Sequence, residues 1–367
     1  MAIAGVDFIV NRTDLADAEI VPASFPGPGE LADGDCLLKV DTFAMTANNI
    51  TYAVAREDLG YWTFFPHPRD GFGRIPVWGF ADVLASAAPG VDVGDRVYGY
   101  LPMSSHLLVR PGRVSERSFF DMAEHRQERA PIYNQYAFTR SDPVYRPEDE
   151  AVISLFRPLF TTSFLIDDYL RENRCFGATS VVLTSASSKT ALGLAYLLAA
   201  DKSHGASVVG LTSAGNRAFV EGLGCYDQVV SYDEVEAMPV VDTVLVDMAG
   251  NADVLARVHH RFGDALKSST RVGGTHWAGG FTATGPLPGP KPEFFFAPSH
   301  AQDRIKRWGG DGFQARVNEQ WARLVARLPD WLEVVEGRGQ DATMRGYQET
   351  LAGAVRPNEG RILSLWD

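Results

Sequence analysis

Five residues at one bend carry the chemistry most open to reading: Ser185, Ser187, Ser188, Lys189 and Thr190, within Leu183-Thr-Ser-Ala-Ser-Ser-Lys-Thr190. Their hydroxyls can bond phosphate oxygens and the lysine adds a cation. Ser180-Val-Val-Leu183 before them reads as a strand buried on both faces, and the Ala/Leu-rich run from Thr190 to Ala200 reads as a helix. A helix that starts at such a bend turns unpaired N–H groups and partial positive charge outward, a natural seat for a phosphate. The dinucleotide fingerprint would place three glycines here, and only Gly193 remains. A P-loop is excluded, because its glycines would fall at Leu183 and Ser188. Taken alone, the motif is read equally well as a structural turn.

The next strand ends in Thr212 and Ser213, followed by Asn216 and Arg217, with no carboxylate before Glu221. An NAD site generally places Asp or Glu there for the ribose 2′-hydroxyl. Hydroxyls with a guanidinium accept a 2′-phosphate that a carboxylate would repel, so a real site here prefers NADPH. The competing reading makes Arg217 a solvated helix residue. Further on, Gly273-Gly-Thr-His-Trp277 closes a strand at the cofactor side, which makes Thr275 and His276 pocket residues. His276 is then either an acid or a hydrogen-bonded structural histidine. The His259–His260 pair is expected on a helix surface. No Ser-His-Asp order or nucleophile elbow is visible, which disfavours a hydrolase.

The elements that must hold these residues alternate. Ser207–Ser213, Gln228–Tyr232, Asp242–Asp247 and Ser269–Gly274 read as strands, with helices at Asn216–Leu223 and Ala252–Phe262. Such alternation implies a parallel sheet with right-handed crossovers, and ligands then sit beyond the carboxyl ends of its strands. Residues 1–110 instead read as short β segments punctuated by Gly and Pro, as in a small barrel. Ser115–Arg146, rich in charge and aromatics, is expected as an insertion: a lid or oligomer contact on one reading, a solvated excursion with packed aromatics on the other.

The runs Gly205-Ala-Ser-Val-Val-Gly-Leu-Thr-Ser-Ala-Gly-Asn216, Phe219-Val-Glu-Gly-Leu-Gly224, Val229-Val-Ser-Tyr232 and Gly94-Asp-Arg-Val-Tyr-Gly99 resemble the medium-chain dehydrogenase/reductase superfamily. The resemblance is nearer to its zinc-free quinone-oxidoreductase and enoyl-reductase branch, within a divergent group of unknown function. It implies an α/β fold made of a GroES-like β-barrel catalytic domain and a Rossmann-type doubly wound parallel sheet. Expected boundaries are 1–150 for the catalytic domain, with its insertion at 115–146, 151–305 for the nucleotide-binding domain, and 306–367 for a return to the catalytic domain. It also implies that Tyr232 joins the cofactor residues, that Thr161 lies on the helix lining the nicotinamide pocket, and that Phe296 lies in a loop over the nicotinamide. Phe43-Ala-Met-Thr-Ala-Asn-Asn-Ile-Thr-Tyr52 resembles the segment facing the nicotinamide, so Asn48 and Tyr52 would bond the substrate oxygen. The structural alternative has Asn48 capping a short helix and Tyr52 in the core. The family's zinc segment corresponds to Trp78-Gly-Phe-Ala-Asp82, without its histidine, and no zinc-ligand spacing occurs elsewhere. A homodimer is expected from the resemblance.

Composition bounds the rest. With 367 residues there is room for two domains, and 45% hydrophobic with 22% charged residues is an ordinary globular balance. A net charge of −12 and no basic stripe argue against nucleic-acid binding. No apolar run reaches membrane-spanning length, and three dispersed cysteines fit a reducing compartment, so the expectation is cytoplasmic. The function expected is NADPH-dependent, zinc-independent reduction of an enone, quinone, aldehyde or ketone. The alternative is an NADP(H)-binding protein with a sensing or non-redox, lyase-like role.

Overall fold

The computed structural model describes residues 1–54, 60–272 and 286–367. The chain divides into two compact units, Met1–Leu155 with Leu332–Asp367, and Phe156–Trp331.

The first unit begins with β1 (Ile3–Asn11), β2 (Ala18–Phe25), β3 (Cys36–Met45), helix α1 (Ala47–Val54), β4 (Phe72–Gly73), β5 (Pro76–Ser86) and β6 (Arg96–Pro102). It continues through β7 (His106–Val109), β8 (Pro111–Gly112), β9 (Ser118–Asp121) and β10 (Gln135–Phe138). Helix α2 (Glu150–Glu172) then leads into the second unit. Apolar runs bury β5 and β6 almost continuously and much of β3, with Phe43, Phe80, Tyr100 and Phe138 inside.

The segment expected as an insertion is part of this sheet. β9 pairs with β10, and β10 continues the sheet by pairing with β6. The physical reason is its aromatic content: Phe119, Tyr136 and Phe138 are fully buried. Arg126 is buried with them, donating to Asn134 Oδ1 at 2.9 Å and to the Tyr133 carbonyl at 2.6 Å while lying over the rings of Phe64 and Phe65.

The second unit holds β11 (Ser180–Leu183), α3 (Lys189–Ala200), β12 (Ser207–Thr212), α4 (Arg217–Gly222), β13 (Gln228–Ser231), β14 (Thr243–Asp247), α5 (Ala252–Phe262), β15 (Leu266–Arg271) and β16 (Glu293–Phe294). Two helices follow, α6 (Ala297–Trp308) and α7 (Gly310–Val325). Its sheet runs β13-β12-β11-β14-β15-β16 and every pairing is parallel. The Val-rich runs make this possible, because Val181, Val182, Val208, Val244 and Leu245 are covered on both faces. The strand expected at 269–274 begins earlier, at Leu266, and is described to Arg271; Gly273 and Gly274 lie outside the described residues.

The chain returns to the first unit with β17 (Glu333–Arg338), α8 (Gln340–Leu351) and β18 (Glu359–Ser364). The larger sheet there reads β17-β18-β3-β5-β6-β10-β9-β8, with β7 also on β3.

Candidate functional site

In the second unit the bend after β11 is built from its neighbours. Thr184 is fully buried; its Oγ1 donates to Asp247 Oδ1 at 2.6 Å and accepts from the N–H groups of Met248 and Ala249 at 2.9 and 3.0 Å. Burial pushes the Asp247 carboxyl up, against the lowering effect of the Thr184 hydroxyl, the Gly250 N–H and the Arg271 charge. The two loops at the carboxyl ends of β11 and β14 are thereby clasped together, at the edge where a doubly wound sheet binds ligands.

Ser185 then takes φ = +49°, the left-handed conformation a glycine would supply. Its N–H donates to Tyr232 Oη at 3.0 Å, and burial raises the Tyr232 phenol to about 12. Tyr226 Oη donates to the Ala186 carbonyl at 2.9 Å, and Asn216 Nδ2 donates to Ser187 Oγ at 3.1 Å. Three side chains from later segments thus fix a path that the usual motif fixes with glycines. Gly210 permits the close approach of β12: an added Cβ would stand 2.9 Å from the Tyr226 ring and 3.0 Å from Ala186 Cβ.

Ser188 caps α3, accepting from the Ala191 N–H at 3.3 Å. The N–H groups of Lys189 and Thr190, in the first turn, have no intrahelical acceptor. Together with the Ser187 hydroxyl and the Lys189 ammonium they form a donor set suited to a diphosphate. The retained left-handed turn at Ser185 means that loss of the glycines has not straightened the loop. On that observation the residues fit a dinucleotide. Gly193, the one surviving glycine, serves a different purpose: an added Cβ would lie 2.9 Å from Ser163 Oγ on α2.

The exit of β12 differs in detail from expectation. Thr212 is buried in the strand, whereas Ser213 is exposed beyond it. Arg217 is partly exposed on α4 and carries two ion pairs there: Nε donates to Glu221 at 2.9 Å and a terminal nitrogen to Glu234 at 2.8 Å. Glu234 also accepts from the Ser231 N–H, so it is fixed by the turn after β13. Thr161 turns its hydroxyl back to the Arg157 carbonyl at 3.0 Å within α2. Phe296 precedes α6 and stacks on Phe294, while the buried ring of that run is Phe295, stacked on His300. Thr275 and His276 lie outside the described residues. The histidine pair requires a correction. His259 is fully buried, with Nδ1 2.8 Å from the Pro288 carbonyl and Nε2 2.9 Å from Ser269 Oγ.

In the first unit the structure brings Asn48 and Tyr52 together on α1. Burial pushes the Tyr52 phenol well above its ordinary value, the nearby Tyr61 adds to this, and Trp78 and Asn48 beside the hydroxyl oppose it. The ring lies against that of Tyr61, centroids 4.4 Å apart and tilted by 33°. The residue that anchors the start of this helix is Asn49 rather than Asn48. Its Oδ1 accepts from the Thr46 N–H and hydroxyl at 2.8 and 2.9 Å, and its Nδ2 donates to the Pro76 carbonyl at 2.9 Å. Asp82 is held by Arg96, which also binds Asp41 and Glu150. Among the described residues there is no group of three or more His, Cys, Asp or Glu placed to hold a metal ion, and no helix is long and apolar enough to cross a membrane.

A family model described as "Protein of unknown function (DUF2855)" matches residues 43–356. No curated protein sequence matches the chain. Among solved structures, CurA from Vibrio vulnificus in complex with NADPH is similar with a TM-score of 0.59 and 12% identity, over 100% of both chains. The yhdH oxidoreductase from Salmonella enterica in complex with NADP is similar at 0.51 and 16% identity, over 99% of both chains. The CurK enoyl reductase is similar at 0.55 and 12%, over 98% of this chain and 99% of that one. At these identities the likeness is one of fold.

Proposed function

We propose that this chain, which belongs to the DUF2855 family, is an NADP(H)-dependent reductase of a small electron-poor carbonyl or enone compound. The observation that carries this reading is the bend at Ser185–Thr190, where a left-handed serine, a capped helix start and Lys189 present anion-binding donors at the carboxyl edge of a parallel sheet. Bound there, the coenzyme would supply the hydride. Ser187, Lys189 and the N–H groups of the first turn of α3 hold the diphosphate. Tyr232 keeps the loop in shape through Ser185, and Ser213 with Asn216 borders the ribose.

Asn48 and Tyr52 are the donors assigned to the substrate oxygen. The raised pKa of Tyr52 keeps its proton in place at neutral pH, so it acts first as a hydrogen-bond donor to developing negative charge. Polarisation by protein donors makes zinc unnecessary, in keeping with a Trp78–Asp82 segment whose carboxylate is committed to Arg96.

Titration of the protein with NADPH and NADH, followed by tryptophan fluorescence, tests the reading. Quenching by NADPH, tighter than by NADH, together with NADPH oxidation in a panel of enones, quinones and ketones, is the expected outcome. No binding of either nucleotide defeats it. Binding without oxidation of any panel member would favour a sensing or non-redox role instead.

A further inference from the structure

The main-chain donors of the bend after β11 are nearly all paired inside the protein. The Ser185 N–H donates to Tyr232 Oη at 3.0 Å, the Ala186 N–H to the Leu211 carbonyl at 3.0 Å, and the Ser188 N–H to the Ser185 carbonyl at 2.8 Å. In this run only the Ser187 N–H has no partner among the described residues. A main-chain donor left unpaired by the protein goes to water or to a ligand. The change in exposure falls at the same point, since Ser185 and Ala186 are buried and Ser187 to Thr190 are half-buried.

The direction of that N–H is set from beneath. A trans peptide points its C=O and N–H opposite ways, so whatever holds the Ala186 carbonyl also aims the Ser187 N–H. Tyr226 is the holder, with Oη donating to that carbonyl at 2.9 Å. Its ring reaches under the bend past Gly210 and packs with Ala186, Val220 and Val229. Burial pushes the Tyr226 phenol well above its ordinary value, so the donated proton stays in place at neutral pH. Without this bond the Ala186–Ser187 peptide can turn over, which would aim a carbonyl oxygen at the anion site and turn the N–H inward. For a bound anion that exchange replaces attraction with repulsion. The Ser187 side chain is held separately, by Asn216 Nδ2 on Oγ at 3.1 Å, so the N–H and the hydroxyl of one residue answer to different partners.

We propose that Tyr226 is a positioning residue of the coenzyme site: by holding the Ala186 carbonyl inward it presents the Ser187 N–H to the diphosphate. This rests on the coenzyme reading of the bend and is independent of hydride transfer. It adds a main-chain donor to the set that holds the diphosphate and names the side chain that aims it. The plainer account has Tyr226 satisfying its own hydroxyl on the nearest carbonyl, and it predicts a change in stability with no change in ligand preference.

The test is calorimetric titration of the full chain with NADP⁺, ADP-ribose and 2′-AMP, in the parent, Tyr226→Phe, Ser187→Ala and the double variant, beside their melting temperatures. Tyr226→Phe keeps the ring under the bend and deletes the one hydroxyl. NADP⁺ and ADP-ribose should bind Tyr226→Phe about tenfold more weakly, as expected for one lost hydrogen bond to a charged group, while 2′-AMP, which has no diphosphate, changes by less than about twofold. The same loss should recur in the Ser187→Ala background, where the N–H remains. Equal ADP-ribose affinity of parent and Tyr226→Phe overturns the proposal, as does a loss shared equally by 2′-AMP, whatever the melting temperature does. Disappearance of the effect in the Ser187→Ala background also overturns it, because Tyr226 would then act through the hydroxyl. The two readings fail separately. Tyr226-dependent binding of ADP-ribose with no NADPH oxidation keeps this role and defeats the reductase, whereas NADPH oxidation with coenzyme affinity indifferent to Tyr226 does the reverse. A parent that binds neither NADP⁺ nor ADP-ribose defeats both.

Discussion

Replacing Thr184 with valine keeps the shape of a fully buried side chain and deletes one hydroxyl that makes three hydrogen bonds. The carboxylate of Asp247 loses its shortest donor, at 2.6 Å, and keeps the Ala249 and Gly250 N–H groups at 3.1 and 3.2 Å. The Met248 N–H is left with no acceptor. A hydrogen bond to a charged group contributes roughly 1.5–3 kcal/mol, and an orphaned buried N–H costs about 1–3 kcal/mol, so the variant should lose about 3–5 kcal/mol. With a urea slope of roughly 3 kcal/mol/M, the unfolding midpoint should fall by about 1 M or more. Thr184→Ser, which retains the hydroxyl, should recover most of the loss.

The pH dependence supplies a second readout. Burial raises the Asp247 carboxyl above its ordinary value in the fold, and the Thr184 hydroxyl is among the groups that hold it down. Without that hydroxyl the folded value rises further. The unfolded value is common to parent and variant, so the penalty is smallest at pH below both folded values, where Asp247 is protonated in each, and it grows as pH climbs through them. Urea titrations by circular dichroism at several pH values measure both effects. A Thr184→Val midpoint equal to that of the parent, or a penalty indifferent to pH, would refute the clasp.

Two further outcomes follow from the same unit. Glu234→Gln keeps an acceptor for the Ser231 N–H while freeing Arg217 from one of its two carboxylates. The ratio of NADPH to NADH affinity should therefore rise, most visibly at low salt, and an unchanged ratio would place the 2′-phosphate elsewhere. Gly193→Ala gains about 1 kcal/mol of helix propensity but overpacks against Ser163 Oγ at 2.9 Å. Alone it should destabilise by about 1 kcal/mol, and in a Ser163→Ala background it should become neutral or favourable, as a double-mutant cycle in urea would reveal.

The second unit was legible in the chain because its signals are local. Val-rich runs at βα spacing fix a parallel sheet whatever lies around them, and the Ala252–Phe262 helix follows from adjacent residue types. What escaped depends on partners distant in sequence. Arg217 reads as a phosphate ligand until Glu234 folds onto it, and nothing near Tyr226 announces its bond to Ala186. His259 and His260 are the same residue type one position apart, so only the helical phase against Pro288 and Ser269 decides which is buried. Asn48 and Asn49 pose the same problem: the neighbour on the inner face takes the structural bonds, leaving Asn48 beside Tyr52. The 115–146 stretch misleads because its strands are four residues long and its charges include one, Arg126, that is fully buried.

The interior position of β18 has a bearing on synthesis. It lies between β17 and β3, and Trp366 just beyond it donates to the Val40 carbonyl. The unit that emerges from the ribosome first is therefore completed last, with the Phe43–Met45 stretch of β3 unpaired on that side while the whole of 156–331 is made. The intervening unit is contiguous and can close on its own. Nascent chains arrested before Glu359 should then carry a protease-resistant second unit beside a first unit that is still cleavable, and they are the species most exposed to edge-to-edge aggregation.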